Sequence, residues 1–515
     1  MQVLEYLGTI FTLNHFLMMN VGVAAGIIMG LLPGINVVFA VAILLPFTFG
    51  LDSIAGVYLL MGCYCGALYG GAITAILINT PGTPSAAMTV LDGYALAQQG
   101  RAGDALNAAL LGSVLGGLIS CLSLIFFAPM LARVAYYIAS PEYFALCVFG
   151  MSAAIGVSQD RVLKGIIMAV IGLFLSTAGI DVSTGTTRFM FDNMNLLGGL
   201  QPPIIMLGMF ALTEILSKSQ EAIRSNYERM EVITFKKATM KFREFFRYWK
   251  TILKSSIIGI IIGAIPGTGG AIAAMLSYNE ARRSSKHPEK FGTGMIEGVL
   301  APETGDNAVT GACLIPTLTL GIPGDAVVAV LLGALTMQGI TPGAALFAKG
   351  NTWVYSIMGG LIVINIIVFL QGIFFSRAFA HITKVPLIAL LPCIMILCTI
   401  GSFAISNSTF EVLVMVVAGF FGFIMKKNEF PIPPMIIAMV LGQLAEVNLR
   451  RSLMLSKNGA LVFFTRPISA IIILVAFAAL LYPLIKKLIV KHHGGVKSEL
   501  MAALDAEYDV EEDGR

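Results

Sequence analysis

Seven stretches of the chain contain no charged residue: 17–51, 53–91, 105–132, 255–279, 326–348, 350–376 and 385–410. About 20 apolar residues in a helix cross the hydrocarbon core of a bilayer. These runs, with shorter ones near residues 143, 165, 196, 307, 412, 432 and 467, therefore predict roughly ten to fourteen membrane segments. Several runs are interrupted by Pro-Gly pairs. Residues 53–91 offer 39 uncharged positions, too many for one helix across a membrane, and the interruption falls at Asn79-Thr80-Pro81-Gly82-Thr83-Pro84-Ser85.

The interruptions come in two matching sets. Gly30-Leu31-Leu32-Pro33-Gly34, Asn79-Thr80-Pro81-Gly82-Thr83, Gln99-Gly100 and Gly116-Gly117 recur as Gly263-Ala264-Ile265-Pro266-Gly267, Gly321-Ile322-Pro323-Gly324-Asp325, Gln338-Gly339 and Gly359-Gly360. The offsets are 233, 242, 239 and 243, which describe one duplicated unit with small insertions. Helix-breaking pairs at corresponding places in two apolar halves are a pointer to the binding site of a secondary transporter. A lone Pro-Gly would be read as an ordinary kink, which membrane helices tolerate; four in register favour a site.

Composition agrees with a membrane protein. Hydrophobic residues make up 57% and charged residues 12% of the chain, with mean hydropathy +0.86, where a soluble domain carries roughly 25% charge. The expected fold is an all-α polytopic membrane protein built from two inverted-topology repeats with re-entrant hairpins or broken helices. Residues 1–215 form the first repeat, 216–254 a basic linker, 255–450 the second repeat, 451–490 a C-terminal membrane segment and 491–515 a tail. The linker holds ten Lys/Arg against four Glu between Leu216 and Lys254, which places it in the cytoplasm by the positive-inside rule. Lys486, Lys487 and Lys491 place the C-terminus there too, and the acidic tail from Glu499 to Asp513 reads as a disordered cytoplasmic end. The first hundred residues have no Lys or Arg, which leaves the start of the chain free to lie outside; without a charged n-region it is expected to be retained.

The same logic applies to Lys254–Tyr278. Broken at Pro266-Gly267, it leaves two pieces too short to cross alone, and the next loop, from Arg282 to Lys290, is basic. A re-entrant hairpin with Pro266-Gly267 at its tip is predicted, and Pro33-Gly34 would approach from the opposite face.

The net charge of +4 gives no support to a nucleic-acid partner. Seven cysteines in apolar context, Cys63, Cys65, Cys121, Cys147, Cys313, Cys393 and Cys398, read as small buried hydrophobes. Five scattered histidines show no metal spacing, no catalytic constellation emerges, and the absence of a Gly-Lys dipeptide excludes a P-loop. The chain is not expected to be an enzyme, and no cofactor is called for beyond Na+ as a candidate coupling ion.

The breaks themselves supply the candidate chemistry. Thr83 reads as an N-cap with Pro84 at the first helical position and Ser85 beside it, so a helix would begin inside the bilayer with free N–H groups that attract a carboxylate. Substrate-binding candidates are Pro33, Gly34, Asn36, Asn79, Thr80, Pro81, Gly82, Thr83, Ser85, Pro266, Gly267, Thr268, Gly269, Pro323 and Gly324. Oxygen ligands for a coupling cation are sought at Asn79, Thr80, Asp325, Glu303 and Asn307. Asp325 holds the place of Thr83, either as a coupling carboxylate or simply as an N-cap. Glu297, Glu303, Asp306 and Asn307 surround Pro302, where a functional acidic group beside the membrane competes with a solvated loop at the cytoplasmic edge. Asp92-Gly93-Tyr94 before Arg101 reads as a helix exit into a turn.

Gly66-Ala67-Leu68-Tyr69-Gly70-Gly71, Asn79 to Pro84, Leu91-Asp92-Gly93-Tyr94, Gln99-Gly100-Arg101-Ala102, Pro266-Gly267-Thr268-Gly269, Ser277-Tyr278, Phe291-Gly292-Thr293-Gly294, Ala301-Pro302-Glu303, Asn307-Ala308 and Leu320 to Gly324 resemble the large membrane subunit of the tripartite tricarboxylate transporters, the TctA family. The resemblance covers most of residues 20–450. It implies cation-driven uptake of carboxylates, such as citrate or related di- and aromatic acids, across the bacterial inner membrane. It also implies two partners, a periplasmic solute-binding protein and a small four-helix, TctB-like membrane subunit. The competing readings are a channel for organic anions and a structural membrane subunit that does not itself transport.

Overall fold

The structure is a computed structural model that describes residues 12–32, 35–135, 138–156, 161–181, 184–224, 242–340, 342–347, 353–382, 387–457 and 459–481. Within them the chain is predominantly helical. The first half contains α1 (Leu13–Gly30), α2 (Val37–Leu44, prolonged by a 3-10 turn to Gly50), α3 (Ser53–Ile78), α4 (Ala87–Gln98), α5 (Ala102–Ala135), α6 (Ser140–Gly156) and α7 (Val162–Ser176). A two-residue antiparallel ladder, β1 (Gly179–Ile180) with β2 (Thr187–Arg188), precedes α8 (Pro202–Met206), a π turn over Leu207–Leu212, and α9 (Thr213–Arg224). The second half contains α10 (Phe242–Phe245), α11 (Trp249–Ala264), α12 (Gly270–Ser284), α13 (Ile296–Ala312), α14 (Leu314–Leu320), α15 (Ala326–Met337), α16 (Trp353–Ile382), α17 (Leu387–Ser406), α18 (Thr409–Lys427), α19 (Pro433–Leu455) and α20 (Val462–Thr465).

Five of the described helices, α1, α3, α5, α18 and the Trp353–Phe374 part of α16, are long and apolar enough to cross a membrane. A sixth span results if Gly459–Thr465 and Pro467–Leu481, bent by 86°, act as one. Four further apolar stretches are shorter, Val37–Gly50, Val162–Ser176, Ala326–Met337 and Leu391–Ser406, and the first and third of these follow breaks. The sides that pack and the sides left open are inverted relative to a soluble protein. On α7, Leu163, Ile167, Val170 and Phe174 form an exposed stripe while Gly165, Met168 and Gly172 are buried. Leu413, Val417, Phe420 and Ile424 make the same stripe on α18. Spacing of three and four residues puts each set on one face, and an apolar face left open in this way belongs against lipid.

α3 lies at the centre, buried throughout its apolar window. Such a helix is apolar all round because every side meets protein. Its closest neighbour is α1. Gly22, Gly26 and Gly30 of α1 rest on the backbone of Leu59, Cys63 and Ala67, while Gly62, Gly66 and Gly70 of α3 rest on that of Met19, Val23 and Ile27. A Cβ at any of these positions would meet a carbonyl oxygen at less than van der Waals distance. Small residues every fourth position let membrane helices approach backbone to backbone, where dispersion contacts replace a missing hydrophobic drive.

The duplicated unit is visible in the packing as well as in the spelling. Gly26 and Gly30 sit on Cys63 and Ala67; 233 positions later Gly259 and Gly263 of α11 sit on Gly305 and Val309 of α13, partners displaced by 242. The order of elements recurs too, with α1–α5 matched by α11–α16, where α13 and α14 together stand opposite α3. α11 and α12 pack against each other and both pack on α13. At 16 and 15 residues, each is about 22–24 Å long at 1.5 Å per residue, short of a full crossing.

Two predicted positions change character. Asp92 lies in the middle of α4, not at a helix exit, and is fully buried. Six cysteines are buried as expected, but Cys393 is exposed on α17. Residues 225–241 of the linker and the tail beyond 481 lie outside the described residues.

Candidate functional site

Four interruptions divide the repeats, at 31–36, 79–86, 265–269 and 321–325. Each is built differently. The first ends at Asn36, whose Oδ1 accepts the Phe39 N–H at 2.8 Å and starts α2. The second opens at Asn79, left-handed at φ 55°, and closes through a turn in which Thr83 Oγ1 accepts from the Ala86 N–H at 3.4 Å. Regular helix starts only at Ala87, so the expected N-cap at Thr83 with Pro84 as first helical residue is corrected. Backbone bonds from Ala86 N–H to Thr83 O and from Ala87 N–H to Pro84 O make the preceding turn tighter than an α-helix. In the third, Gly267 and Gly269 adopt φ of 81° and 72°, a region open to glycine and costly for other residues. The fourth follows Gly321, left-handed at φ 74°, and ends on Asp325, which caps α15 by accepting the Val328 N–H at 2.7 Å.

The breaks meet. Gly82 lies so close to Gly30 O that a Cβ would overlap it, joining the first two interruptions. The Gly267 N–H donates to Gly324 O at 2.6 Å, joining the third and fourth. Tyr64 of α3 donates its hydroxyl to Asp325 Oδ2 at 2.8 Å and ties the two halves together. Between them lies a cavity of about 340 Å³ lined by residues of all four interruptions: Asn36, Ser85, Gly267 to Gly269 and Asp325. α12 begins in its wall with no side-chain cap; Gly270 and Ala271 of its first turn line the space, and first-turn N–H groups have no intrahelical partner. This is the arrangement that holds anions at helix N-termini.

Of the predicted residues, Asn36, Ser85, Gly267, Thr268, Gly269 and Asp325 line the cavity. Thr83 and Gly82 are buried just behind it, Gly82 against the neighbouring break. Pro266, Pro323 and Gly324 shape the turns rather than the lining. Asn79, Thr80 and Pro81 stand away from it; Asn79 is exposed and the Thr80 hydroxyl donates to Ile78 O at 3.2 Å. Pro33 and Gly34 lie outside the described residues. Glu303 is neither in a loop nor at an edge. It is 2% exposed within α13 and accepts from Thr89 Oγ1 at 2.5 Å and Ser113 Oγ at 3.2 Å, which corrects the solvated-loop alternative. Asn307, also buried, donates to Glu303 O at 3.0 Å.

Sequence reasoning left Tyr64 and the proline run Pro431, Pro433 and Pro434 out of the site and weighed Asp306 only as one of the acids around Pro302; all line the cavity. The signal for Asp306 was present. It is Tyr64 plus 242, the offset of the surrounding packing contacts, so the two occupy equivalent places in the repeats.

Apolar stripes outside, and inside a largely apolar cavity into which the breaks bring a few polar groups, define an integral membrane protein with a central cavity. The chain belongs to the tripartite tricarboxylate transporter TctA family, whose model matches residues 16–437, and is a membrane component of such a system. It is 38% identical over 465 residues to an Agrobacterium vitis protein described as "Uncharacterized 52.8 kDa protein in TAR-I ttuC' 3'region", covering 90% of this chain and 92% of the relative. A second Agrobacterium vitis protein, "Uncharacterized protein in TAR-II ttuC' 3'region", is 34% identical over 212 residues, 41% of this chain and 88% of its own length. No solved structure matches the chain.

Proposed function

We propose that the chain is the translocating subunit of a secondary transporter that takes up small carboxylates, citrate or a related di- or aromatic acid, with a cation, Na+ or H+, across the bacterial inner membrane. A periplasmic solute-binding protein delivers the acid and a small four-helix membrane subunit completes the complex. The C-terminus and the basic linker face the cytoplasm, and the repeats have inverted topology. The observation that carries this reading is the convergence of four helix interruptions on one cavity of about 340 Å³, a volume within the range of small-ligand sites. An uncapped helix start suits a carboxylate there. Buried carboxylate in the same lining suits its companion cation.

Uptake of labelled citrate, tartrate and smaller diacids into proteoliposomes, under separate Na+ and proton gradients and with or without the partner proteins, tests it. Concentrative uptake that needs this chain and one of the gradients supports the proposal. Passive flux that merely follows the acid's own gradient identifies a channel instead, and uptake that persists without this chain leaves it a structural role.

A further inference from the structure

The cavity that should receive an anion is walled by two acids and, among its described lining residues, by no lysine, arginine or histidine. The two acids differ. Both Asp325 oxygens are occupied, Oδ1 by the Val328 N–H and Oδ2 by the Tyr64 hydroxyl. Asp306, only 3% exposed, presents Oδ1 with no hydrogen-bond partner among the described residues. That oxygen rests against Gly270, the first residue of α12, so closely that a Cβ on Gly270 would overlap it. Asp306 thus projects from α13 onto the helix start where a substrate carboxylate would dock. The titratable groups around it are Asp325 from the start of α15, Tyr64 from α3 and Glu303 one turn earlier on α13. None supplies positive charge.

Building on the carboxylate reading above, we infer that Asp306 is the coupling residue: its carboxylate takes up one monovalent cation, and only then can the acid's carboxylate occupy the N-terminus of α12. The physical basis is exclusion. Asp306 accepts from the Ser85 hydroxyl, but a charged carboxylate buried with one oxygen unpaired and no counter-charge is costly, and a second anion beside it in the same low-dielectric space raises that cost. Both penalties vanish together when one positive charge arrives. The acid and the cation therefore bind cooperatively, with no conformational signal needed between separate sites. Asp325, already satisfied, remains a cap throughout. The asymmetry between the repeats has the same meaning, since the first repeat places neutral Tyr64 where the second places Asp306.

Linkage gives a stoichiometric test. The half-saturating concentration for exchange of labelled citrate, and separately tartrate, is measured in proteoliposomes containing the full complex. One arm varies pH without Na+; the other varies Na+ at high pH. The arm whose cation binds at Asp306 shows affinity rising about tenfold for each tenfold rise in cation activity, per cation bound. Asp306→Asn, which removes the charge and keeps the shape, lowers that slope by one while exchange continues, and Asp306→Ser does the same. A slope unchanged in both arms, or loss of exchange in both variants when they assemble normally, overturns the assignment, because removing a repelling charge does not abolish binding of an anion. Wild-type complex that exchanges neither acid in either arm overturns the carboxylate reading itself.

Discussion

Asp92 and Asp325 are both buried acids in apolar surroundings, and their partners show how differently such residues are used. Asp92 Oδ1 accepts the N–H groups of Gly292, Gly294 and Met295 at 2.8–2.9 Å, and Oδ2 accepts the Tyr278 hydroxyl at 2.9 Å. It pins the connection between α12 and α13 to α4. Asp92→Ala leaves three amides without an acceptor and is expected to cost about 2–4 kcal/mol, with Asp92→Asn losing roughly half as much; thermal unfolding in detergent measures both. For Asp325 the cap can be separated from the charge. Asp325→Asn retains an acceptor for Val328 and should unfold within about 0.5 kcal/mol of the parent, whereas Asp325→Ala loses both the cap and the acceptor of the Tyr64 hydroxyl, about 2–4 kcal/mol. An equal loss in the two variants would show that capping is not what Asp325 does for stability. The Asp-Gly-Tyr spelling around residue 92 is turn-like, and at Asp325 the sequence offered a cap beside a coupling carboxylate. The difference is local: Asp325 caps its own helix, while the acceptors of Asp92 are needed by a loop 200 positions away.

Among elements, the α1–α3 contact is the one most dependent on side-chain size. Gly66→Leu would push Val23 away and separate two backbones, an overpacking expected to cost about 3 kcal/mol or more. Gly66→Ala should fall between, and the order of unfolding temperatures checks the explanation. The glycine spacing was readable along the chain, as were the places where helices stop, because Pro and Gly act on their own backbone. Where regular structure resumes was less readable. At the second break Thr83 and Pro84 have the composition of a helix start, yet a tight turn intervenes before Ala87 because Gly82 is pressed between Gly30 and Gly71. That pressure comes from neighbouring helices.

For the molecule as a whole, a hydrogen bond joins the third and fourth breaks and a close contact joins the first and second; on the proposed function the interruptions travel as a unit. Ala154 of α6 and Ala271 of α12 face the same cavity from outside and inside that unit. A reducible bifunctional thiol reagent bridging Ala154→Cys and Ala271→Cys across the cavity is expected to stop uptake and to release it on reduction; uptake that continues through the bridged pair removes the rigid-unit motion. The membrane class, the duplication, the helix interruptions and the family resemblance were all legible in the chain, because hydropathy, repeated spelling and backbone breakers are properties of short segments. Which polar residues share a cavity was settled by packing. Asn79 and Thr80 have suitable chemistry but leave the site, while Tyr64 and Asp306 enter it, since a helix turns by about 100° per residue and only its neighbours decide which face is enclosed.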